Sequence, residues 1–563
     1  MTSRSSRRTF VQQTGILLAG LHAGRWVAAQ TSPEAQAPAE FVTAITSSGK
    51  VRGTVDHDIK IFKGIPYGGP TSGKNRFMPP TKPTPWTDTR DALTWGSSAP
   101  QTVPPATSHQ VAESEDCLVL NVFTPALDNK KRPVMVWLHG GGWANGSSAS
   151  PITVGTNLAR TGDVVVVSIN HRLNIFGFAY LREAMGSDFA PSGAVGLLDI
   201  VAALHWVRDN IDRFGGDPNL VTIFGQSGGG RKVATLMAFP PAKGLFQHGI
   251  VESGAVLKLT EPADAMRHLS LMLAQLNLKP GQGRELQNVP MGQLLQANEK
   301  AYDQLLEQVP VRERGWAANT PVVDGKFIPS DPWDPKGPAL SANIPLMIGW
   351  AHTEETPWVR PTPEHLALDE AGLKQLVQKR LNAGTILYKD RQVVMFGSRG
   401  ENIDAVPIIE AYRKDNPAAS PYDLYILIAT DDPRGTHTRE IGKRKAQQGG
   451  APAYVYRFDW ETPEGGGGMR SPHAIDIQFA FNNIALGGKL ISQRQDAYAL
   501  ANKVSAAWVA FARTGNPNIP QLPKWPAYSV AQRDTMLFNT ESRVAQDPNH
   551  DARIAIEHAL GLA

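Results

Sequence analysis

The stretch LVTIFGQSGGGRKVATLMAF, Leu220 to Phe239, changes character in its middle. Its first five residues are an apolar, β-branched run of the kind that fills a buried strand. Its last ten can form a helix. Between them stands G-x-S-x-G, Gly225 to Gly229, followed by a further glycine. In a chain with 52 glycines a pattern this short arises readily by chance. Its place between strand and helix gives it weight, because a serine on a sharp strand-to-helix turn presents its hydroxyl as a nucleophile. The glycines have a steric reason there: side chains flanking so tight a turn collide with the strand or the helix. Each glycine in a helix costs about 1 kcal/mol relative to alanine. A purely structural start would use Ser, Thr or Asp followed by good helix formers. The run Gly228-Gly229-Gly230 makes sense where backbone must approach something closely. The N–H of Gly228 is then placed to face a developing oxyanion, helped by the helix N-terminus.

A second glycine cluster lies in VMVWLHGGGWANG (134–146), where Gly140, Gly141 and Gly142 follow a strand. Flexible glycines let N–H groups converge on one point. A plain tight turn uses the same residues; the pairing with a downstream elbow favours an oxyanion loop.

Working outward, VMVWLH (134–139), VVVVSIN (164–170), LVTIF (220–224), GIVES (249–253), PLMIGW (345–350) and AYVYRF (453–458) read as buried strands. DIVAALHWVRDNIDRF (199–214) puts Ile200, Ala203, Leu204, Val207, Ile211 and Phe214 on one helix face, and GGDPNL (215–220) ends it with turn chemistry. Strand, helix, strand in this order indicates an α/β fold with a doubly wound, mostly parallel sheet. Residues 258–330 and 360–450 are helical excursions from that sheet. The charged segment TREIGKRKAQQ (438–448) reads as a solvated helix face. No repeat or linker marks a boundary, so the expectation is one large domain, residues 30–563, with insertions.

The chain has 563 residues, 41% of them hydrophobic and 19% charged, as in a soluble globular protein. Its first 29 residues read as a targeting segment. Ser6-Arg7-Arg8-Thr9-Phe10 resembles a bacterial twin-arginine signal, the following apolar stretch is too short to span a bilayer, and Val27-Ala28-Ala29 resembles a cleavage site. The expected location is therefore periplasmic or secreted. The segment carries four arginines and no acid, so the net charge of +4 belongs to it and the mature chain is neutral. That gives no support for binding nucleic acid or an anionic membrane. No later run offers the ~18 uninterrupted apolar residues of a membrane span. Cys117 is the single cysteine, so no intrachain disulfide forms, and a lone thiol in an exported protein is expected to be buried.

Nine segments then carry a resemblance: FKGIPYG (62–68), RFMPP (76–80), SEDCLVLNVFTP (114–125), HGGGW (139–143), NHRLNIFGF (170–178), GLLD (196–199), WVRDNIDRFGGDPNLVTIFGQSGGG (206–230), HAIDIQFAFNN (473–483) and AWVAFARTGNPN (507–518). In this order, along nearly the whole mature chain, they resemble the type-B carboxylesterases, the cholinesterase-like branch of the α/β-hydrolases. The resemblance implies an α/β-hydrolase fold and a catalytic triad in the order Ser, acid, His. It places Ser227 as nucleophile, Glu354 as acid, with Glu355 its local rival, and His473 as base. The other histidines after the acid, His365, His437, His550 and His558, lie in polar, charged or C-terminal sequence. The oxyanion donors implied are Gly141, Gly142 and Gly228. Arg76 with Glu115, and Arg172 with Asp199, are implied as buried structural ion pairs.

Three departures stand out. The family's Glu before the nucleophile and Ala after it are here Gln226 and Gly228. Gln226 removes an anion that would favour cationic substrates, so choline esters become less favoured. The cysteine that commonly pairs with that of the SEDCL segment is absent, since Ala99 precedes Pro100-Gln101. The GGG form of the hole, with Trp143 next, is associated in the family with room for bulky alcohols. The expected activity is hydrolysis of a small or medium uncharged ester, without cofactor or metal, by a monomer or homodimer. An amidase or carbamate hydrolase with the same triad, and a non-catalytic binding protein of the same fold, are the alternatives. No metal-ligand spacing, phosphate loop or dinucleotide fingerprint is present in the sequence.

Overall fold

Strands whose residues alternate between two apolar faces need cover on both sides, and that requirement organises this chain. The structure is a computed structural model that describes residues 40–102, 111–279, 281–308, 319–383, 385–388, 391–394 and 403–562. The expected signal segment, residues 1–29, lies outside them.

Among the described residues, thirteen strands form one sheet. Its antiparallel edge contains β1 (Phe41–Thr46), β2 (Gly49–Asp56), β3 (Ile59–Pro66) and the short β4 (Arg90–Asp91), which pairs in parallel with β2. Next come β5 (Val119–Thr124), β6 (Arg132–Leu138), β7 (Val165–Ile169), β8 (Gly216–Gln226), β9 (His248–Glu252) and β10 (Leu346–Ala351). A separate hairpin, β11 (Thr385–Tyr388) with β12 (Arg391–Val394), precedes β13 (Ala453–Phe458), β14 (Asp534–Phe538) and β15 (Arg543–Gln546). The order is β1-β2-β3-β5-β7-β6-β8-β9-β10-β13-β14-β15, and every pairing from β7 to β14 is parallel. This is the mostly parallel, doubly wound sheet expected.

The period-two rule is visible in the core. Val134, Val136 and Leu138 of β6 pack into one apolar cluster and Met135 and Trp137 into the other, on the opposite face. In β13, Ala453 and Val455 alternate with Tyr454, Tyr456 and Phe458 in the same way. The helix Val195–Asn210 covers the first face and Gln495–Thr514 the second. A helical run over Ser187–Phe214 is long and apolar enough to cross a membrane, but its apolar window is 72% buried inside the protein, as a core helix should be.

The two excursions carry satellite cores. One is built on the helices Pro262–Gln275 and Met291–Gln308, the other on Glu370–Ala383, Ala405–Asp415 and Pro421–Thr430. All belong to the single unit Glu40–Ala563.

Two expectations need correction. β8 begins at Gly216, four residues before the strand read from the apolar run. Gly216 pairs with Arg132 and Val221 with Val134, so Asp217, Pro218, Asn219 and Leu220 occupy an irregularity that tolerates proline. The charged helix Thr436–Gln447 is also not a solvated face: Arg444 and Lys445 are buried. It packs against β10 and β13, and its cations meet fixed partners. Lys445 donates to the carbonyls of Ser341 and Ala342, Arg444 to Glu440 and Asp334, and Arg439 to Asp431 and Glu557. Buried charges paired in this way leave no trace in hydropathy.

Both expected structural ion pairs form. Arg172 grips Asp199 through Nε at 2.8 Å and Nη2 at 2.7 Å, and Arg76 grips Glu115 through Nε at 2.7 Å. Cys117 is buried and unpaired, and burial pushes its thiol well up from the ordinary range, so it stays a thiol.

Candidate active site

Adjacent parallel strands deliver their C-terminal ends to one edge of a sheet, where ligands are met in folds of this type. Ser227 directly follows β8, Glu354 lies three residues past β10, and His473 lies in the loop after β13.

Ser227 has φ 56° and ψ −119°, a conformation that side chains other than glycine rarely adopt. Two backbone bonds hold it there. Its N–H donates to the Glu252 carbonyl at the end of β9 (2.8 Å), and its carbonyl accepts from Arg231 N–H (3.0 Å), opening the helix Gly228–Leu236. That helix packs at glycine-only distance. A Cβ on Gly229 would lie 1.9 Å from the Leu138 carbonyl, and one on Gly228 would lie 2.1 Å from the Gly142 carbonyl and 2.4 Å from Gly142 N. The two glycine clusters are thus brought into direct contact. Gly141 and Gly142 both have positive φ, 87° and 63°, which turns the loop back over the elbow.

His473 and Glu354 are hydrogen-bonded through Nδ1 and Oε2. Glu354 is fully buried, and its Oε1 accepts from the Ala351 N–H (2.8 Å). Burial alone would raise its carboxyl; the charges of His473 and Arg434, with the His473 hydrogen bond, overcome that and hold it below its ordinary value. Its rival, Glu355, turns the other way, into an ion pair with Arg434 and within 3.6 Å of Arg380. The other histidines have partners or positions elsewhere: His365 bonds the Arg360 carbonyl, His550 bonds Asp547, and His558 is exposed.

An elbow serine, a buried carboxylate holding an imidazole, and a glycine loop folded onto the elbow therefore occupy one edge of a hydrolase-like sheet. The model of the carboxylesterase family matches residues 40–555. The chain belongs to the carboxylesterase family. The enzyme is 33% identical over 517 residues to a para-nitrobenzyl esterase of Bacillus subtilis, with 90% of this chain and 97% of that one covered. It is 31% identical to a phenmedipham hydrolase of Pseudarthrobacter oxydans, covering 90% and 98%. Among solved structures it is similar to carboxylesterase EST55 of Geobacillus stearothermophilus, with a TM-score of 0.76, 34% identity, and coverage of 91% and 99%. The enzyme has the α/β-hydrolase fold and is an ester hydrolase.

The departures at the elbow now have surroundings. The Gln226 amide nitrogen lies 3.3 Å and 3.4 Å from the two ring nitrogens of His473, so a neutral amide rests against the imidazole where the family's carboxylate would stand. At Gly228 the contact with Gly142 leaves no room for the family's alanine. Gly228→Ala is expected to push the 140–142 loop away and lower kcat on a p-nitrophenyl ester by about 10²-fold, the loss typical of one displaced oxyanion donor. Steady-state kinetics on the purified variant checks this; unchanged kcat would mean the loop yields at no cost.

Sequence reasoning missed two cations. Arg434 reaches Glu354 (Nε to Oε2, 3.7 Å) and lies over the Trp358 ring, itself 5.1 Å from the His473 ring. Nothing in the sequence ties Arg434 to the acid 80 positions earlier. Lys232 is fully buried, and a lysine set among helix residues one position beyond the glycine run and Arg231 was a signal that could have been read.

Proposed function

We propose that the enzyme hydrolyses a small or medium uncharged carboxylic ester through an acyl-enzyme on Ser227. The observation that carries this is the Glu354–His473 hydrogen bond beside a serine held at positive φ. With Nδ1–H given to Glu354, His473 keeps Nε2 bare as a base. It takes the proton of Ser227 as Oγ attacks the ester carbonyl carbon. The N–H groups of Gly141, Gly142 and Gly228 receive the oxyanion. The imidazolium then protonates the departing alcohol, and a water, deprotonated by the same ring, releases the acid and frees Ser227. Glu354 stays ionised throughout, fixing the tautomer and stabilising the imidazolium.

The neutral Gln226 beside the base supports uncharged over cationic substrates. Carbamates are the second reading, favoured by the similarity to phenmedipham hydrolase. A panel of matched esters, amides and carbamates, compared by kcat/KM, tests both; a preference for amides would overturn them.

The N-terminal segment supports export by the twin-arginine route to the periplasm or beyond. Replacing Arg7 and Arg8 with Lys should leave the precursor in the cytoplasm, read by fractionation and immunoblot. Normal export of that variant would argue against the route.

A further inference from the structure

Three consecutive glycines have more backbone freedom than any other tripeptide, whereas an oxyanion hole works only when its donors are fixed before charge develops. Something must hold Gly140-Gly141-Gly142 still. In a trans peptide the carbonyl and the next residue's N–H point in opposite directions, so a bond to the carbonyl aims the N–H. All four carbonyls from His139 to Gly142 are engaged. The Gly140 carbonyl accepts from Nδ1 of His139 (2.9 Å), which directs the N–H of Gly141. The Gly141 carbonyl accepts from the N–H groups of Ala144 (3.3 Å) and Asn145 (3.1 Å), which directs the N–H of Gly142. The two outer carbonyls, of His139 and Gly142, both accept from Nζ of Lys232, each at 3.0 Å.

We infer that Lys232 is the positioning residue of the oxyanion loop, a clamp that fixes the peptide planes at both ends of the glycine run. This rests on the reading of Gly141 and Gly142 as oxyanion donors. Lys232 sits in the helix that starts at the nucleophile, so one rigid element carries both Ser227 and the clamp. Its Nζ also lies 5.7 Å from the centre of the Trp143 ring, the residue that closes the loop. Trp143 in turn packs edge-on against Phe178.

Arg231 precedes Lys232, and the imidazoles of His139 and His171, stacked at 4.8 Å, are the other titratable groups around it. Burial, then Arg231, brings the ammonium down to about 7, and burial, then Lys232, brings His139 down to about 3, so the ring beside it stays neutral. With a proton on Nδ1 spent on the Gly140 carbonyl, Nε2 of His139 is left buried without a hydrogen-bond partner. The site holds a desolvated amine next to two imidazoles, and both of its hydrogen bonds go to the ends of the glycine loop.

The test compares Lys232→Met, which fills the space without a donor, with Lys232→Gln, which keeps one neutral donor group. Kinetics use a p-nitrophenyl ester; binding uses a trifluoromethyl ketone, which Ser227 converts to an oxyanion, and the product alcohol, which forms none. For Lys232→Met we expect kcat down by roughly 10²-fold with KM within about threefold. Trifluoromethyl ketone affinity should fall in step with kcat while alcohol affinity holds, and Lys232→Gln should recover part of both. A folded Lys232→Met with wild-type kcat, or one that loses KM and alcohol binding instead, overturns the inference. Labelling with a fluorophosphonate separates the two levels: a wild-type enzyme not labelled at Ser227 sinks the catalytic reading itself, whereas a labelled variant with full kcat sinks only the clamp. Should neither variant fold, NMR of the wild-type Lys232 side chain decides. Nζ protons hydrogen-bonded to the His139 and Gly142 carbonyls support the clamp, and a freely rotating Nζ without such bonds overturns it.

Discussion

Ser227→Ala should lower kcat on a p-nitrophenyl ester by about 10⁶-fold while leaving the melting temperature at or above that of the wild type. The size follows from how a triad works: removing the nucleophile alone forfeits nearly all that the three residues provide together, and what remains comes from binding and the oxyanion donors. The stability half follows from the backbone. Ser227 sits at φ 56° because the ends of β8 and β9 and the following helix force it there, not because its hydroxyl is needed for the fold. Alanine meets the same strain with no polar group to desolvate. Kinetics and calorimetry on one preparation check both halves. Turnover retained above ~1% would remove Ser227 from the mechanism.

The second large effect separates two neighbouring acids. Glu354→Gln is expected to lower kcat by about 10⁴-fold, because an amide can hold the ring in the wrong tautomer and cannot stabilise the imidazolium. It also leaves Arg434 facing His473 without the intervening carboxylate. Glu355→Gln should act differently. It touches no reacting group, but it withdraws the charge shared by Arg380 and Arg434, both buried, and breaking such a pair costs about 3–5 kcal/mol of stability. Its kcat should stay within a few-fold at a temperature where it is folded. The pH dependence has a definite sign. The Glu354 carboxyl is held below its ordinary value, so the stability it contributes is complete above about pH 5 and is lost as pH falls through its folded value. Urea unfolding of wild type and Glu354→Gln at several pH values should converge only in acid.

How much of this was legible in the sequence depends on distance along the chain. The parallel sheet was readable because buried strands are short, apolar and β-branched, a local signal. AYVYRF matches β13 residue for residue. Ser227 was readable because its strand, turn and helix are contiguous. Glu354 and His473 needed the family resemblance, since the fold joins them across more than a hundred residues, and the choice between Glu354 and Glu355 lies in which way each side chain turns. What stayed hidden were buried charges. The basic segment 438–448 has the composition of a surface, and only the partners Ser341, Ala342, Asp334 and Glu557, remote in sequence, make it an interior. Lys232 and Arg434 were missed for the same reason: hydropathy cannot tell a solvated cation from a clamped one.

The bridge from Glu354 through Arg434 and Glu355 to Arg380 runs from the end of β10 into the helix Glu370–Ala383, whose Arg380 also bonds the carbonyl of Ala429. That insertion looks like an appendage of the sheet, yet it supplies Arg434, the counter-ion of Glu354, and Arg380, which holds the neighbouring Glu355. It is therefore not interchangeable between relatives as a module. A chimaera that imports a foreign segment 360–447 for a new pocket would also replace the electrostatic footing of Glu354, unless the two arginines came with it.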